Sequence, residues 1–217
     1  MVVIPNWGDL DSVVPTARAE SRLLGRLGLS DGFVIQYSGN IGRCHAVESL
    51  VEAAALLQRS YPSAHLLVIG RGARRAALEA AVRSANLENV TLLDYQPRQA
   101  LGESLNACDL AVVSLATGMS GISVPSRTYN ILAAGKPVLA VCDFDSEVAR
   151  IVREEQIGWV ASPDRPAEIA SAIADAASDR ARLRAMGARA RLVAERKYGR
   201  EHVAAEYRRM LRDLANE

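Results

Sequence analysis

The sequence predicts an α/β fold: a Rossmann-like parallel sheet of about six strands, flanked by helices and followed by a C-terminal helical extension. From about Phe33 onward, short apolar runs alternate with amphipathic stretches. This alternation is typical of βα units around a parallel sheet that is buried on both faces. After Pro163 the pattern becomes almost purely helical. An apolar content of 49% and a charged content of 24% are those of an ordinary globular protein.

The individual elements follow from length and spacing. Strands are predicted at residues 33–37, 65–69, 90–93, 110–115, 138–141 and 158–161. Helices are predicted where apolar residues recur at helical spacing, at residues 47–57, 73–85, 98–107, 127–134, 167–177, 181–196 and 200–214. We therefore expect a linker with one short helix at 1–31, the Rossmann-like domain at 32–178, and C-terminal helices at 179–217.

Charge and cysteine content exclude several classes of protein. Lysine and arginine number 26 against 25 aspartate and glutamate, which gives no general attraction to nucleic acid or to an anionic membrane. The three cysteines lack the paired spacing of a zinc site or a disulfide framework. No apolar run approaches the roughly 20 residues of a membrane span. We expect a cytoplasmic protein with no nucleic-acid partner.

Ligands of open parallel sheets bind at the carboxyl ends of the strands, so the loops there are the first candidates. The loop after residues 33–37 contains Gly39, Asn40, Gly42 and Arg43. Glycines let the backbone approach a ligand, and a cation near a helix start suits a phosphate. The alternative is a tight turn in which glycine serves geometry only. His45, close by, is more often a polar cap or a surface residue than a catalyst.

Two further loops carry weaker signals. Gly70, Arg71 and Gly72 follow the second strand, but they lack the full glycine pattern of a dinucleotide site. No phosphate loop of the Walker kind occurs, since Gly135-Lys136 is followed by proline. Tyr95 and Gln96 follow the third strand and could hold a nucleobase through backbone hydrogen bonds. A simple helix-starting turn explains them equally well.

The loop after the fourth strand is the most informative. Ser123, Ser126 and Arg127 stand at a predicted helix start, where free amides and a guanidinium can hold a diphosphate. Asn130 lies one helical turn beyond Arg127, and its amide can both donate to and accept from vicinal hydroxyls such as those of ribose. The alternative makes Arg127 a salt-bridge partner and Asn130 a helix-surface residue.

Three segments, in order, resemble one known family. Residues 4–9 look like its interdomain segment, residues 37–42 like its first glycine loop, and residues 124–137 like its donor-site helix. The chain thus resembles, nearly end to end, the C-terminal domain of retaining glycosyltransferases of family 4, which have the two-domain GT-B architecture. Within that family it is most similar to bacterial enzymes of the colanic-acid and fucosamine-transferring kind.

The resemblance implies a role for each candidate residue. Arg43 and Arg127 would stabilise the departing diphosphate, the backbone near Tyr95 and Gln96 would hold the base, and Asn130 the ribose. No Asp-x-Asp pair stands in a donor loop, so we expect neither metal nor cofactor, the nucleotide sugar being a substrate. The residues expected to contact the donor are Gly39, Asn40, Gly42, Gly70, Arg71, Tyr95, Gln96, Ser123, Val124, Pro125, Ser126 and Asn130.

The resemblance also implies the reaction and its partners. A hexosyl or N-acetylhexosaminyl group would pass, with retention, from a nucleotide sugar, most simply a UDP-sugar, to a saccharide or lipid-linked acceptor in polysaccharide biosynthesis. The acceptor would be held by an N-terminal domain preceding these residues, which could also contact the inner face of the membrane. Without that domain, this segment should bind donor but scarcely catalyse.

One departure from the family pattern leaves other functions open. The family has two glutamates with seven residues between them, and here those positions are Ile122 and Asn130. The loss weakens charge-based ribose recognition and leaves the contact to the sugar unassigned. A non-catalytic nucleotide-binding module or pseudoenzyme of the same fold is therefore the alternative, and a GT-B epimerase is a less favoured third.

Overall fold

The computed structural model describes residues 2–122 and 124–215. Its six strands form one parallel sheet in the order β3-β2-β1-β4-β5-β6. The prediction of a six-stranded parallel sheet is confirmed, and each strand boundary lies within a residue of its predicted place. The strands are β1 Phe33–Ser38, β2 Ala64–Ile69, β3 Val90–Leu93, β4 Leu110–Ser114, β5 Val138–Val141 and β6 Gly158–Ala161.

Helices fill the connections and follow the last strand. The helix predicted at residues 98–107 is a 3-10 turn, Arg98–Ala100, followed by a short α-helix, and a second 3-10 turn lies at Arg18–Glu20. One helix, α6, was not among those predicted. The α-helices are α1 Arg22–Leu27, α2 Val47–Ser60, α3 Arg75–Ser84, α4 Leu101–Asn106, α5 Arg127–Ala133, α6 Glu147–Glu154, α7 Pro166–Ser178, α8 Arg180–Lys197 and α9 Arg200–Ala215.

The sheet has a hydrophobic core on each face. Side chains of β1 alternate between the faces, so Phe33, Ile35 and Tyr37 join the core under α2, α3 and α7. Val34 joins the opposite core, under α1, α4, α5, α6 and α8. Because both faces are buried, the strands are continuous apolar runs instead of alternating apolar and polar residues.

The strand order places a crevice between β1 and β4. The chain moves outward from β1 to β3 and then returns to the other side of β1 with β4. The loops leaving β1 and β4 therefore diverge at the carboxyl edge of the sheet, which is where such folds bind ligands. They touch shortly after β4, where the Ala116 amide donates to the Cys44 carbonyl over 2.9 Å.

The N-terminal segment, residues 2–16, is fixed to the rest of the chain at several points. The Gly8 amide donates to the Tyr198 carbonyl over 2.8 Å. Arg191 Nη1 in α8 donates to the Val13 carbonyl over 3.0 Å. The division of the chain into three segments stays a prediction, and these contacts join its first and last segments. None of the described helices combines the length and the apolar character needed to cross a membrane.

Candidate functional site

The loops after β1 and β2 pack backbone against backbone at the floor of the crevice. The Ile41 amide donates to the Arg71 carbonyl over 2.8 Å. A Cβ atom at Gly70 would lie 1.9 Å from the Gly39 carbonyl oxygen, and one at Gly72 would lie 2.3 Å from the Ile41 carbonyl oxygen. Gly70 and Gly72 also have φ values of +152° and +156°. Their backbone conformation and their surroundings thus both favour glycine.

Arg127 reaches across the crevice from the first residue of α5. Its guanidinium carbon stands 4.6 Å from the centre of the Tyr37 ring. A Cβ atom at Gly39 would lie 2.5 Å from that same carbon, so the guanidinium occupies the space that a side chain at Gly39 would need. The structure thereby brings the first and fourth predicted loops together around one cation.

The Arg127 guanidinium is not neutralised within the described part of the chain. It forms no ion pair there, and its Nη2 forms a hydrogen bond with His45 Nε2 over 3.0 Å. Its Nη1 is buried and has no hydrogen-bond partner among the described residues. Arginine keeps its charge in proteins, and an unsatisfied buried donor is costly. This arrangement is suited to an anion such as a phosphate.

Two side chains that sequence reasoning did not place in the site support Arg127. Tyr37 donates its hydroxyl proton to the Asn40 carbonyl over 2.6 Å, and burial raises the pKa of Tyr37. His45 lies edge-on to Tyr37, with 6.3 Å between ring centres. Burial, and secondly the charge of Arg127, lower the pKa of His45. The available signal was the alternation of β1, which directs Tyr37 to the face on which α2 begins.

Asn40, Gly42 and Arg43 lie in the same loop, around this cluster. Arg43 is exposed in the turn before α2, and within residues 2–122 and 124–215 it forms no ion pair. Gly42 is close to the side chain of Asn40, since a Cβ atom at Gly42 would lie 2.8 Å from Asn40 Nδ2. The structure therefore places Arg43 on the solvent side of the loop, whereas the Arg127 guanidinium lies over Gly39 on the inner side of the loop.

Arg71 and the loop after β3 form a separate group. Arg71 pairs with Asp94 over 2.7 Å, with both side chains more than half exposed. The Arg71 guanidinium lowers the pKa of Asp94. Tyr95 is 52% exposed, and Gln96 Nε2 donates to the Asp94 carbonyl over 3.0 Å. Arg71 already has a carboxylate partner, whereas the Tyr95 ring is open to solvent.

The loop before α5 presents apolar side chains to solvent. Ile122 is 71% exposed and Val124 is 41% exposed. Pro125 is buried, and its carbonyl accepts from the Thr128 amide over 3.0 Å. Ser126 is exposed. Ser123, which was also predicted to contact the donor, lies outside the described residues.

Asn130 faces the N-terminal segment. Its Oδ1 accepts a hydrogen bond from the Asp9 amide over 2.9 Å. It also lines a cavity of about 290 Å³, together with Asp9, Ser12, Arg98, Gln99, Leu101 and Gly102. Arg98 and Gln99 directly follow the loop that carries Tyr95 and Gln96. The cavity beside Asn130 thus extends to the residues that follow the predicted base-binding loop. The contact between Asn130 and a ribose stays a prediction.

Cavity size alone does not mark the site. A cavity of about 410 Å³ lies between the N-terminal segment and the start of α9, and it contains none of the predicted donor residues. Its lining residues are Trp7, Gly8, Asp9, Leu10, Asp11, Ser12, Arg98, Glu195, Gly199, Arg200, Glu201 and His202. The Arg127 guanidinium, which has no carboxylate partner among the described residues, is the more specific feature, because its charge favours an anion. Within the described ranges, no cluster of three or more His, Cys, Asp or Glu residues could hold a metal ion.

Comparison with known proteins agrees with this fold and this crevice. The model of the family "Glycosyl transferases group 1" matches residues 26–193. The curated protein "Probable glycosyltransferase WbjE" of Pseudomonas aeruginosa is 34% identical over 176 residues, which cover 80% of this chain and 43% of that protein. The chain spans half or less of the length of the curated relatives it matches.

Solved structures show the same architecture. Anabaena HepE in complex with UDP-glucose superposes with a TM-score of 0.81 at 20% identity, covering 100% of this chain and 57% of that one. The C-terminal domain of the group 1 glycosyltransferase LpcC from Francisella tularensis superposes with a TM-score of 0.69 at 18% identity, covering 88% of this chain and 98% of that one. The fold is thus one Rossmann-like half of a GT-B structure. Because the family model matches most of its length, the chain belongs to the group 1 glycosyltransferase family, and it corresponds to the C-terminal domain of such enzymes.

Proposed function

We propose that this domain binds the nucleotide-sugar donor of a glycosyltransferase and holds the donor diphosphate in the crevice between β1 and β4. The observation that supports this proposal most directly is the placement of the Arg127 guanidinium, which lies over Gly39 and has no carboxylate partner among the described residues. The buried Nη1 provides a donor that a phosphate oxygen would satisfy. UDP-sugars are the favoured class, since the related fold of HepE was solved with UDP-glucose.

The chemistry assigned to the site is charge stabilisation. An acceptor hydroxyl attacks the anomeric carbon on the face from which the diphosphate leaves, and it passes its proton to an oxygen of the departing diphosphate as the bond from that carbon to the diphosphate breaks. The nucleoside diphosphate leaves with the electron pair, and Arg127, with Arg43 at the rim, stabilises the charge that develops on it. Retention of configuration and independence from metal are parts of the same proposal.

The acceptor is proposed to be a saccharide or a lipid-linked saccharide of polysaccharide biosynthesis, held by a separate acceptor domain. The aligned residues cover 43% of WbjE, so more than half of that protein lies outside the match and leaves room for a second domain. Transfer of a hexosyl or N-acetylhexosaminyl group by the complete enzyme, and the need for both domains, are further parts of the proposal.

A second candidate function is favoured by one observation. Where the family has its two glutamates, this chain has Ile122, which is 71% exposed, and Asn130, whose Oδ1 is occupied by the Asp9 amide. A carboxylate is missing at both places, so hydroxyl groups of the donor lose their strongest acceptors. A nucleotide-binding module without transferase activity fits those replacements.

Calorimetry with UDP, GDP and ADP tests the proposal. We expect UDP to bind, and Arg127→Ala to weaken it about 10- to 100-fold, as the loss of charge-assisted hydrogen bonds predicts. Arg83→Ala, at an exposed position near the end of α3, is the matched control and should leave the affinity unchanged.

Each other result has a definite meaning. If no nucleotide binds, the donor-binding proposal is wrong. Equal UDP affinities for Arg127→Ala and the unmodified chain would remove Arg127 from the site. UDP binding without sugar transfer by the complete protein would favour the non-catalytic module.

A further inference from the structure

We infer that His45 is a positioning residue of the diphosphate site: as a neutral hydrogen-bond acceptor, it fixes the Arg127 guanidinium over Gly39. This inference rests on the proposed function, because Arg127 is the anchor assigned there. It concerns a residue that the sequence suggested to be a cap or a surface residue, and it identifies what holds the anchor in place.

The first step is the direction of the hydrogen bond. Arg127 Nη2 lies 3.0 Å from His45 Nε2. A guanidinium has donors and no acceptor, so Nε2 must offer its lone pair. His45 is therefore neutral in this arrangement, and its single ring proton is on Nδ1. The structure thus selects one of the three possible protonation states of this ring.

The second step is the surroundings of the ring, which disfavour a charged imidazole. Arg127 faces it from α5, and the Tyr37 ring from β1. Within residues 2–122 and 124–215, no carboxylate pairs with His45. Glu48, on the adjacent helix, pairs with Arg74 over 2.8 Å instead. Burial and the Arg127 charge act together to lower the pKa of His45.

The third step is the state of the remaining donors. His45 Nδ1 and Arg127 Nη1 are both buried, and neither forms a well-aligned hydrogen bond with a described residue, although the Gly42 backbone lies close to the His45 ring. Nδ1 lies beside the glycine loop, since a Cβ atom at Gly42 would stand 3.6 Å from it. Two touching side chains thus each keep one unsatisfied donor. A buried donor without a protein partner usually meets a ligand or an ordered water, and this pair faces the proposed diphosphate site.

A side chain that only fills space would be replaceable by any residue of similar size, whereas a positioning residue needs its acceptor. His45→Ala and His45→Leu remove the acceptor, and His45→Gln keeps a neutral acceptor together with a donor. We expect the first two to weaken UDP binding about three- to tenfold, the net worth of one hydrogen bond, and His45→Gln to stay within twofold of the unmodified chain.

A double-mutant cycle separates positioning from a general effect on folding. In an Arg127→Ala background, His45→Ala should weaken UDP binding by less than twofold, because there is no guanidinium left to position. Equal effects of His45→Ala in both backgrounds would overturn the inference. So would a His45→Gln variant as weak as His45→Ala, or a His45→Ala variant that binds like the unmodified chain.

A measurement without ligand keeps this inference distinct from the proposed function. Nitrogen-15 NMR of the free protein at pH 7.5 should show His45 as the Nδ1–H tautomer, with the proton-free nitrogen at Nε2, and His45→Gln should assign the signal by its loss. Failure of UDP to bind would refute the proposed function alone. An Nε2–H tautomer or a charged ring in the free protein would refute the role of His45.

Discussion

Gly70 is one of two glycines that let the loops after β1 and β2 pack closely. At Gly70 a methyl group would lie 1.9 Å from the Gly39 carbonyl oxygen, at a φ of +152°. Main-chain atoms cannot move aside as a flexible side chain can, so the loop after β1 would have to shift. Gly25, in α1, is the opposite case, because a methyl group there would meet no atom within 4 Å.

The change of Gly70 to alanine is therefore expected to damage both stability and binding. Gly70→Ala should lower the free energy of unfolding by roughly 2–4 kcal/mol, through overpacking and backbone strain, and should weaken UDP binding by moving Gly39 away from Arg127. Gly25→Ala should raise stability by up to about 1 kcal/mol, as an exposed helix position favours alanine. Urea denaturation measures the free energy of unfolding of both variants. Equal stability of the two variants would contradict the assigned backbone contact.

Residue positions in the site were predictable only as far as strand ends reveal them. Gly39, Gly70 and Arg127 follow apolar runs or begin a helix, so the rule for parallel sheets places them at one edge. The contact between His45 and Arg127 joins residues 82 positions apart, and depends on how two side chains pack against a ring. No local sequence pattern encodes such a contact, and the sequence therefore indicated only a polar cap or a surface residue at His45.

At the scale of elements, the strands were predicted well because all six are mainly apolar runs, and β1, β2, β4 and β5 are buried almost throughout. Helix α6 is eight residues long and was missed, although the shorter α5 was predicted. The signal was available: Ser146 Oγ accepts from the Ala149 amide over 3.2 Å, as an N-cap does, and Val148, Ile151 and Val152 recur at helical spacing.

The end of α4 depends on a buried lysine. Lys136 Nζ donates to the carbonyls of Asn106 and Cys108, over 3.0 and 3.1 Å. Asn106 is the last residue of α4, so its carbonyl lacks a partner within the helix, and a cation there also suits the helix dipole. The lysine thus links the end of α4 to the turn between α5 and β5.

Replacing Lys136 should therefore cost far more than replacing Lys197, the other lysine of the sequence. Lys136→Met leaves two carbonyls without their donor and should lower the free energy of unfolding by roughly 2–4 kcal/mol. Lys197 is half-exposed and pairs with Glu155, so Lys197→Met should change the free energy of unfolding by less than about 0.5 kcal/mol. Chemical denaturation of both variants provides the comparison, and a similar loss in each would show that burial of Lys136 is not decisive.

At the scale of the whole molecule, stability should depend on pH through two histidines. Burial lowers the pKa of His65, whose Nε2 lies 2.8 Å from Thr91 Oγ1. Burial, with the charge of Arg127, lowers the pKa of His45 as well. The unfolded chain, in which histidine titrates near 6.5, therefore binds more protons than the folded one as the pH falls.

The stability contributed by these neutral histidines is complete above the unfolded pKa and is lost as the pH falls toward their folded values. We expect the melting temperature to decrease from pH 7.5 to pH 5.5, a range in which carboxylates stay ionised. The double variant His45→Gln with His65→Gln should reduce this decrease, whereas Cys44→Ser, an exposed change in the same loop, should not. An unaltered pH dependence in the double variant would assign the effect to other groups.

The N-terminal segment contacts both the C-terminal helices and the predicted donor site. Asn130 is one of the residues that hold this segment in place. Its Oδ1 accepts from the Asp9 amide over 2.9 Å, while the Thr16 amide is held separately by Asn106 Oδ1 over 3.1 Å. If these anchors act independently, Asn130→Ala should speed hydrogen exchange at the Asp9 amide about tenfold and leave that of Thr16 unchanged. Asn130→Asp keeps an acceptor and should protect Asp9 as the unmodified chain does. Faster exchange at Thr16 in Asn130→Ala would mean that the segment detaches as one unit.

Because Asn130 is also the predicted ribose contact, saturating UDP should change the exchange of the Asp9 amide more than that of the Thr16 amide. An equal response at both amides would argue against a ribose at Asn130.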